Sequence, residues 1–180
     1  MRSEPMTRAC IGFGSNLGNG RQLVVSAWNR LTAVEKIVPL HFSSLYVTEA
    51  VGMVSSSLFT NAVGMVKTEC GPAELLRLLL QIETEHGRVR DTDAVGYQDR
   101  FLDLDLLYFG DRVCCLPELI LPHPHIGSRL FVLAPLVEIV PSLQDPLTGQ
   151  TVEKMYQQLL FRIEQGEIPS QSISRVERTA

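Results

Sequence analysis

Hydrophobic positions along the chain follow strand spacing and helix spacing in turn. Apolar runs or alternations predict strands at residues 9–13, 37–48, 59–66 and 101–109. Apolar residues recur every three or four positions after the first and third of these strands, which predicts amphipathic helices at about residues 23–34 and 72–86. This β-α-β-β-α-β order predicts an α+β fold in which both helices pack on one face of an antiparallel sheet.

The last third of the chain predicts two more helices and a tail. One helix begins near Ser128 and continues to Ile139, and an amphipathic helix covers about residues 151–163. From Gly166 onward Ser, Gln and Glu dominate, a composition typical of disorder. We therefore expect one domain over residues 1–165 and a disordered tail over residues 166–180.

Charge and composition restrict the classes of function. The 180 residues carry 16 Lys and Arg against 20 Asp and Glu, a net charge of −4. Proteins that bind nucleic acids or anionic membranes in general are normally basic, so an anionic ligand must be held here by a local cluster of positive charge. The four cysteines form no C-x-x-C pair, and the sequence has no signal peptide or membrane-spanning run. We expect a cytoplasmic protein with reduced thiols and with neither membrane nor nucleic acid as a partner.

The clearest chemical signal is the segment Arg100-Phe101-Leu102-Asp103-Leu104-Asp105. Residues two apart in a strand point to the same face, about 6.6 to 7 Å from each other, so Asp103 and Asp105 project together while the leucines pack behind them. Neighbouring carboxylates repel each other, and a divalent cation such as Mg²⁺ between them relieves the repulsion. The alternative is a half-exposed strand with an acidic outer face.

Four arginines surround this acidic pair in the sequence. Arg88 and Arg90 follow a predicted helix, Arg100 precedes the acidic strand, and Arg129 precedes another helix. Guanidinium groups bind phosphate oxygens through paired donors, so this set is typical of a phosphate clamp with its metal. Ion pairs with neighbouring aspartates on a solvated loop explain Arg88 and Arg90 equally well.

A histidine segment and a glycine-rich segment are further candidates. In Leu121-Pro122-His123-Pro124-His125 the prolines fix the backbone around His123, whose ring can bind a phosphate or a ribose. A histidine-bound metal is disfavoured because no third ligand follows nearby in sequence. The segment Gly12-Phe13-Gly14-Ser15-Asn16-Leu17-Gly18 lacks the third glycine of a dinucleotide-binding fingerprint. It is interpreted as a tight strand-to-helix turn in which Asn16 bonds to the local backbone.

Together these stretches resemble 6-hydroxymethyl-7,8-dihydropterin pyrophosphokinase, a family of folate-biosynthesis enzymes, over residues 9–160. The motifs that carry the resemblance are Gly14-Ser15-Asn16-Leu17-Gly18, Tyr46-x-Thr48 with Gly52, Phe59-x-Asn61, Gly87-Arg88-x-Arg90, Arg100-x-x-Asp103-Leu104-Asp105, and Pro122-His123-Pro124 with Arg129-x-Phe131. Their order and spacing together are specific. The resemblance implies a ferredoxin-like α+β fold with an extra C-terminal helix.

The resemblance also implies an activity and a set of site residues. The activity is Mg²⁺-dependent transfer of pyrophosphate from ATP to the hydroxymethyl group of the pterin, which leaves AMP. The implied catalytic residues are Arg88, Arg100, Asp103 and Asp105, of which the two aspartates hold two Mg²⁺ ions. The implied ATP contacts are Arg88, Arg90, Arg100, Leu106, His123 and Arg129. The implied pterin contacts are Thr48, Val51, Gly52, Phe59, Asn61 and Phe131, with the Phe rings stacked on the pterin. Ordinary core packing is the alternative for both Phe residues.

Three stretches depart from the pattern of the family. Gly96-Tyr97-Gln98-Asp99 stands where the family has a basic residue, Trp, Gly and Pro; Ala50 replaces a Pro, and Ser56-Ser57 replaces Gln-Pro. The changes at residues 96–99 motivate an alternative function, a catalytically weak homologue that serves as a pterin- or nucleotide-binding regulatory module. An RNA-binding domain of the same fold is disfavoured by the acidic charge. We expect a monomer whose partners are its small-molecule substrates.

Overall fold

The computed structural model of the protein describes residues 6–50, 57–87 and 99–176. The elements are, in chain order, β1 (Thr7–Ser15), α1 (Gly20–Thr32), β2 (Ile37–Phe42), β3 (Leu45–Thr48), β4 (Phe59–Thr68), α2 (Pro72–Glu85), β5 (Asp103–Phe109), β6 (Cys114–Leu116), β7 (Leu119–Leu121), α3 (Leu130–Ile139), α4 (Val152–Glu164) and β8 (Ile173–Val176), with a short 3₁₀ helix (Ile126–Ser128) before α3. No helix in these three ranges has the length and apolar character needed to span a membrane.

Six strands form one antiparallel sheet in the order β5-β1-β4-β3-β8, and β2 pairs with β4 beside β3. This arrangement confirms the predicted ferredoxin-like α+β fold. The single strand predicted over residues 37–48 is in fact two strands, β2 and β3, which pair with successive stretches of β4. The break falls at Ser43, whose N–H donates to the Val63 carbonyl and whose hydroxyl accepts from the Val63 N–H. A separate hairpin of β6 and β7 was not predicted.

Each face of the sheet carries its own pair of helices. Helices α1 and α2 bury Val24, Ala27, Leu31, Leu75, Leu79 and Ile82 against Ile11, Phe13, Leu104 and Leu106. Helices α3 and α4 bury Leu133, Leu136 and Leu159 against Cys10, Val63, Met65 and Leu107 on the opposite face. The spacing of four and three residues within α2 gives the apolar stripe that the sequence pattern predicted. The prediction that the first two helices share one face is therefore confirmed.

The C-terminal segment differs from its predicted disorder. Residues Ile173–Val176 form β8, which pairs with β3 in the register Thr48↔Ile173. Ile173 packs against the cluster under α3 and α4, and Val176 packs against the cluster under α1 and α2. The composition of the tail predicted disorder wrongly for these residues, because two apolar side chains and a strand edge are enough to hold a short polar segment to an existing sheet.

The glycine-rich segment also differs from its prediction. Strand β1 continues through Ser15, two residues beyond its predicted end at Phe13, so Gly14 lies inside a central strand as Gly12 does, and the connection to α1 covers residues 16–19. Asn16 bonds to a segment far along the chain: its amide nitrogen donates to Asp99, and its amide oxygen accepts from the backbone N–H of Arg100. The predicted strand-to-helix turn is present but begins later, because Gly14 was taken as a strand breaker, whereas here it clears space on the face of the strand.

Candidate active site

A cleft opens on the α3 side of the sheet, where β1, β4 and β5 meet the start of α3. Its empty volume is about 670 Å³, part of it open to solvent. Its lining residues are Gly12, Phe13, Gly14, Thr48, Glu49, Phe59, Asn61, Ala62, Val63, Arg100, Asp103, Asp105, Leu107, Arg129, Phe131 and Val132. A concave site of this size with a few convergent polar groups suits a small ligand.

The floor of the cleft is bare backbone. Gly14 lies between Asn61 of β4 and Asp103 of β5 in the sheet register, and Gly12 lies opposite Asp105. A Cβ atom at Gly14 would lie 3.3 Å from the side-chain oxygen of Asn61 and 4.0 Å from the Cβ of Asp103. Gly14 therefore leaves open the space between the polar side chains of Asn61 and Asp103 on the neighbouring strands.

Asp103 and Asp105 point from β5 toward this cleft, as the alternation predicted, while Leu102, Leu104 and Leu106 are buried behind them. The Arg100 guanidinium lies 2.7 Å from the carboxylate of Asp103. Burial, and then the negative charge of Asp103, raise the pKa of the Asp105 carboxyl above its ordinary range, against the opposing pull of Arg129 and Arg100. A negative charge at Asp105 is therefore costly unless a cation accompanies it.

The acidic pair fits Mg²⁺ that arrives with a phosphate-bearing ligand. Among the residues that the structure describes, no three His, Cys, Asp or Glu side chains are grouped so that they could hold a metal ion. Mg²⁺ does not need such a group, since it commonly takes one or two carboxylates and completes its shell with water and phosphate oxygens. Two adjacent carboxylates, one of which resists ionisation, are a donor set of this kind.

Asn16 fixes the approach to the acidic pair. Its backbone N–H donates to the Arg100 carbonyl at 3.2 Å, and its side-chain oxygen accepts from the Arg100 N–H at 2.8 Å. The peptide of Arg100 is thus held at the end of β1, from where the guanidinium reaches Asp103. Sequence reasoning missed this positioning role, because the two residues are 84 positions apart.

His123 presents a neutral N–H donor beside Asp105. Its backbone N–H donates to the Leu107 carbonyl at 2.9 Å, which holds the residue against β5. The backbone N–H of His125 donates to the Nδ1 atom of His123 at 3.3 Å, so the neutral His123 ring carries its proton on Nε2. That Nε2 atom lies 3.9 Å from the Asp105 carboxylate. Burial, followed by the charges of Arg129 and His125, lowers the pKa of His123 to about 4, so the ring is neutral at neutral pH.

Polar and aromatic residues of the predicted pterin set meet at the other side of the cleft. The Asn61 amide nitrogen donates to the Thr48 hydroxyl at 2.9 Å, and both side chains are buried. Phe59 and Phe131 are half-buried and line the cleft, and Phe59 is not among the described residues that form either core cluster. The Arg129 guanidinium lies 5.6 Å from the centre of the Phe131 ring, within range of a cation–π contact.

Not every predicted site residue reaches the cleft. The Leu106 side chain is buried on the opposite face of β5, in the core under α1 and α2, so only its backbone is available to a ligand on the cleft side. Val51, Gly52, Arg88 and Arg90 lie outside the described residues. In return, the structure adds lining residues that the sequence did not single out: Glu49, Ala62, Val63, Leu107 and Val132.

The chain is similar in sequence to proteins of one known family. The family model for 7,8-dihydro-6-hydroxymethylpterin-pyrophosphokinase matches residues 10–141. The chain belongs to this family. It is 36% identical over 139 residues to 2-amino-4-hydroxy-6-hydroxymethyldihydropteridine pyrophosphokinase of Pseudomonas aeruginosa, a match that covers 77% of this chain and 84% of the relative. It is also 36% identical over 146 residues to the enzyme of the same name from Bacillus subtilis, with 81% of this chain and 86% of the relative covered.

Solved structures agree on the fold of this pyrophosphokinase. A crystal structure of a Plasmodium falciparum HPPK-DHPS triple mutant superposes with a TM-score of 0.73 at 16% identity, over 95% of this chain and 45% of the longer one. The wild-type protein of that species with pteroate gives a TM-score of 0.67 at 15% identity. The predicted family and its pyrophosphokinase function in folate biosynthesis are confirmed, and none of these comparisons favours the regulatory alternative.

Proposed function

We propose that this pyrophosphokinase transfers pyrophosphate from ATP to 6-hydroxymethyl-7,8-dihydropterin, giving AMP and the pterin diphosphate, and that it requires two Mg²⁺ ions. The observation that carries the proposal is the arrangement of the cleft. One wall holds a carboxylate pair and two arginines, with the neutral His123 ring 3.9 Å from Asp105, and the other wall holds two aromatic rings and a buried amide. A phosphate-bearing ligand and a flat heteroaromatic ligand therefore fit side by side.

The reaction makes one bond to phosphorus and breaks another. The hydroxymethyl oxygen bonds to the β-phosphorus of ATP, the bond from that phosphorus to the oxygen it shares with the α-phosphorus breaks, and the hydroxyl proton is released. AMP leaves with the shared oxygen and the negative charge. When bound, Mg²⁺ neutralises phosphate charge and makes the β-phosphorus more electrophilic.

Three groups of this chain are proposed to orient the triphosphate. Arg100 and Arg129 supply fixed positive charge on two sides of the acidic pair, and their planar donors match phosphate oxygens. His123 adds an uncharged Nε2–H donor, which binds a phosphate oxygen without a change of protonation. Asp103 and Asp105 hold the metal. Arg88 and Arg90 complete the proposed ATP contacts from outside the described residues.

The pterin is proposed to lie between Phe59 and Phe131, with its polar edge on Asn61. Because the Asn61 amide nitrogen is used by Thr48, its carbonyl oxygen is the atom turned toward Gly14 and the cleft floor. A carbonyl oxygen there accepts from the N–H groups of a pterin ring, while stacking on the rings recognises its flat faces. Val51 and Gly52, outside the described residues, remain proposed contacts.

The decisive assay follows AMP formation from ATP and the hydroxymethyl-dihydropterin, with Mg²⁺ and with a chelator. We expect AMP only when both substrates and Mg²⁺ are present. Asp103→Asn or Asp105→Asn keeps the shape but removes a ligand charge, so turnover should fall by about a hundredfold or more. The matched control is Asp111→Asn, an exposed aspartate in the turn after β5, which should leave turnover unchanged.

Two results would count against the proposal in different ways. Tight pterin binding by the wild type without any AMP would support the regulatory module. Full activity of Asp103→Asn would overturn the assignment of the metal to this pair but would leave the proposed reaction intact. Melting temperatures recorded without Mg²⁺ show whether either variant has lost its fold. The monomeric state and the cytoplasmic location stay predictions.

A further inference from the structure

A hydrogen-bonded bridge joins the C-terminal segment to the entrance of α3. The Gln171 side-chain oxygen accepts from the Leu130 N–H at 2.8 Å, and its side-chain nitrogen donates to the Ser128 carbonyl at 2.9 Å. Ser128 and Leu130 are the two neighbours of Arg129 in the chain. One amide side chain therefore secures the peptide groups on both sides of a residue that lines the cleft.

This bridge supplies a cap that the helix cannot provide for itself. Leu130 is the first residue of α3, and the N–H groups of a first helical turn have no partner within the helix. Arg129 occupies the position where Ser, Thr, Asn or Asp would cap the helix, and a guanidinium has no acceptor atom. Gln171 takes over this role from 41 residues away, which leaves the Arg129 side chain to lie over Phe131 in the cleft.

The same segment also supports the opposite wall of the cleft. In β8, Ile173 pairs with Thr48 and Arg175 pairs with Tyr46 of β3. The Arg175 guanidinium donates to the Ser44 hydroxyl at 3.0 Å and to the Glu138 carboxylate of α3 at 3.1 Å. Ser44 and Tyr46 also donate directly to the Glu138 carboxylate, so Arg175 of the C-terminal segment reinforces an existing link between β3 and α3.

We propose that residues 171–176 form a clasp that positions the substrate cleft, with Gln171 as a positioning residue for Arg129 and Phe131. The clasp lies beyond residue 141, where the match to the family model ends. The proposal rests on the proposed function, because the cleft it positions is the one assigned to ATP and the pterin. Loss of the clasp should loosen both ligands while the core of the sheet stays folded.

The test compares Gln171→Ala with Ser172→Ala, a matched control at the exposed neighbouring position. Hydrogen exchange reports the Leu130 amide without any ligand, and calorimetry gives the affinities for the pterin and for a non-hydrolysable ATP analogue with Mg²⁺. We expect faster exchange at Leu130 and about three- to tenfold weaker binding of both ligands in Gln171→Ala, the effect of about one hydrogen bond. Ser172→Ala should match the wild type in both measurements.

A conservative variant separates positioning from general stability. Gln171→Glu keeps an acceptor for the Leu130 N–H but cannot donate to the Ser128 carbonyl, so its affinities should lie between those of Gln171→Ala and the wild type. Faster exchange at the Leu130 amide of Gln171→Ala with unchanged ligand affinities would show that the bridge is only a helix cap, and would overturn the proposal. Unchanged exchange at the Leu130 amide would also overturn it. If the wild type forms no AMP and binds no pterin, the proposed function fails, and the affinity for the ATP analogue alone then decides the clasp.

Discussion

The two aspartates of the acidic pair lie in different surroundings. The Arg100 guanidinium lies 2.7 Å from the Asp103 carboxylate, whereas the ring that lies 3.9 Å from the Asp105 carboxylate is His123, whose lowered pKa keeps it neutral. A negative charge on Asp105 therefore has less positive charge beside it than a negative charge on Asp103, in line with the raised pKa of the Asp105 carboxyl. The change Asp103→Asn would also weaken the contact of Arg100 with the side chain 2.7 Å away.

Phe59 provides a test of ring stacking at the scale of one side chain. Because Phe59 lines the cleft and stands outside the described core clusters, Phe59→Ala should weaken pterin binding by about 1 to 3 kcal/mol, the range for stacking of a base on an aromatic side chain. Calorimetry should show nearly unchanged binding of the ATP analogue.

The control for this variant is Leu58→Ala, since Leu58 is the preceding residue and is 59% exposed. It should change neither affinity. A variant Phe59→Ala that loses several degrees of melting temperature but keeps its pterin affinity would show that Phe59 packs as a core residue and does not stack on the ligand.

At the scale of an element, β1 contributes to the cleft through two glycines, Gly12 and Gly14, which have no side chain to fill it. A Cβ at Gly14 would lie 3.3 Å from the Asn61 oxygen, tighter than ordinary contact, whereas a Cβ at Gly12 would lie 3.6 Å from Leu107, an ordinary contact. Gly14→Ala should therefore displace the Asn61 amide and weaken pterin binding about tenfold, or about 1.4 kcal/mol. The fold should tolerate the change, because Ala loses less chain entropy than Gly in a strand.

Gly12→Ala is the matched variant on the same strand, and its effect on pterin affinity should be smaller than that of Gly14→Ala. Calorimetry with the pterin and melting temperatures of both variants make the comparison. Equal losses of affinity would mean that the filled volume matters and the Asn61 contact does not.

Strand β3 is joined to α3 through one carboxylate with a pH-dependent contribution. Burial, the largest single effect on Glu138, opposes its ionisation. The hydrogen bonds from Ser44 and Tyr46 and the charge of Arg175 nevertheless lower the pKa of Glu138 below its ordinary 4.5. A lowered pKa in the folded protein means that the carboxylate stabilises the fold at pH values above 4.5 and loses this effect as the pH falls through the folded value.

Glu138→Gln should accordingly lower the free energy of unfolding at pH 7 by about 1.5 to 3 kcal/mol, the range for hydrogen bonds to a charged group. The difference from wild type should shrink below pH 4.5. Denaturant titrations at pH 7 and pH 4 measure it, with Glu164→Gln at the exposed end of α4 as the control. A difference that stays constant with pH would show that charge is not what Glu138 contributes.

The range of each contact along the chain explains how much the sequence could predict. The Asp103 and Asp105 pair was predictable because alternation on a strand is a local rule, and the strands and amphipathic helices around it were predictable for the same reason. The contacts Asn16–Arg100 and Gln171–Leu130 span 84 and 41 positions, and no local pattern encodes such partners. Strand β8 was missed because it depends on the free edge of β3, which exists only in the folded sheet.

For the whole molecule, the two faces of the sheet divide the work between them. The face under α1 and α2 is packed with apolar side chains, which include Leu104 and Leu106 of β5. The other face of the same strand presents Asp103 and Asp105 to the cleft. Since alternate residues of one strand serve both purposes, a register slip by one residue would bury the carboxylates and expose the leucines. The rigid core thus fixes the positions of the acidic groups.

The contact between Arg129 and Phe131 predicts that the two substrates bind cooperatively. The guanidinium lies 5.6 Å from the ring centre, so it shares the surroundings of the ring on which the pterin is proposed to stack. We expect the negative charge of a bound triphosphate to draw the guanidinium away from the ring, which would free the ring for stacking. The ATP analogue with Mg²⁺ should therefore strengthen pterin binding by about fivefold or more, and the pterin should strengthen analogue binding by the same factor.

Calorimetric titrations of each ligand, with and without the other, measure this coupling. The variant Arg129→Ala lacks the positive charge that is proposed to bind the triphosphate, so analogue binding should weaken. It also has no guanidinium over the Phe131 ring, so the factor by which each ligand strengthens binding of the other should fall toward one. Arg112→Ala, an exposed arginine in the turn after β5, serves as the control and should keep the wild-type factor. Equal pterin affinity of the wild type with and without the analogue would show that the two ligands bind independently. The Arg129–Phe131 contact would then not couple their binding.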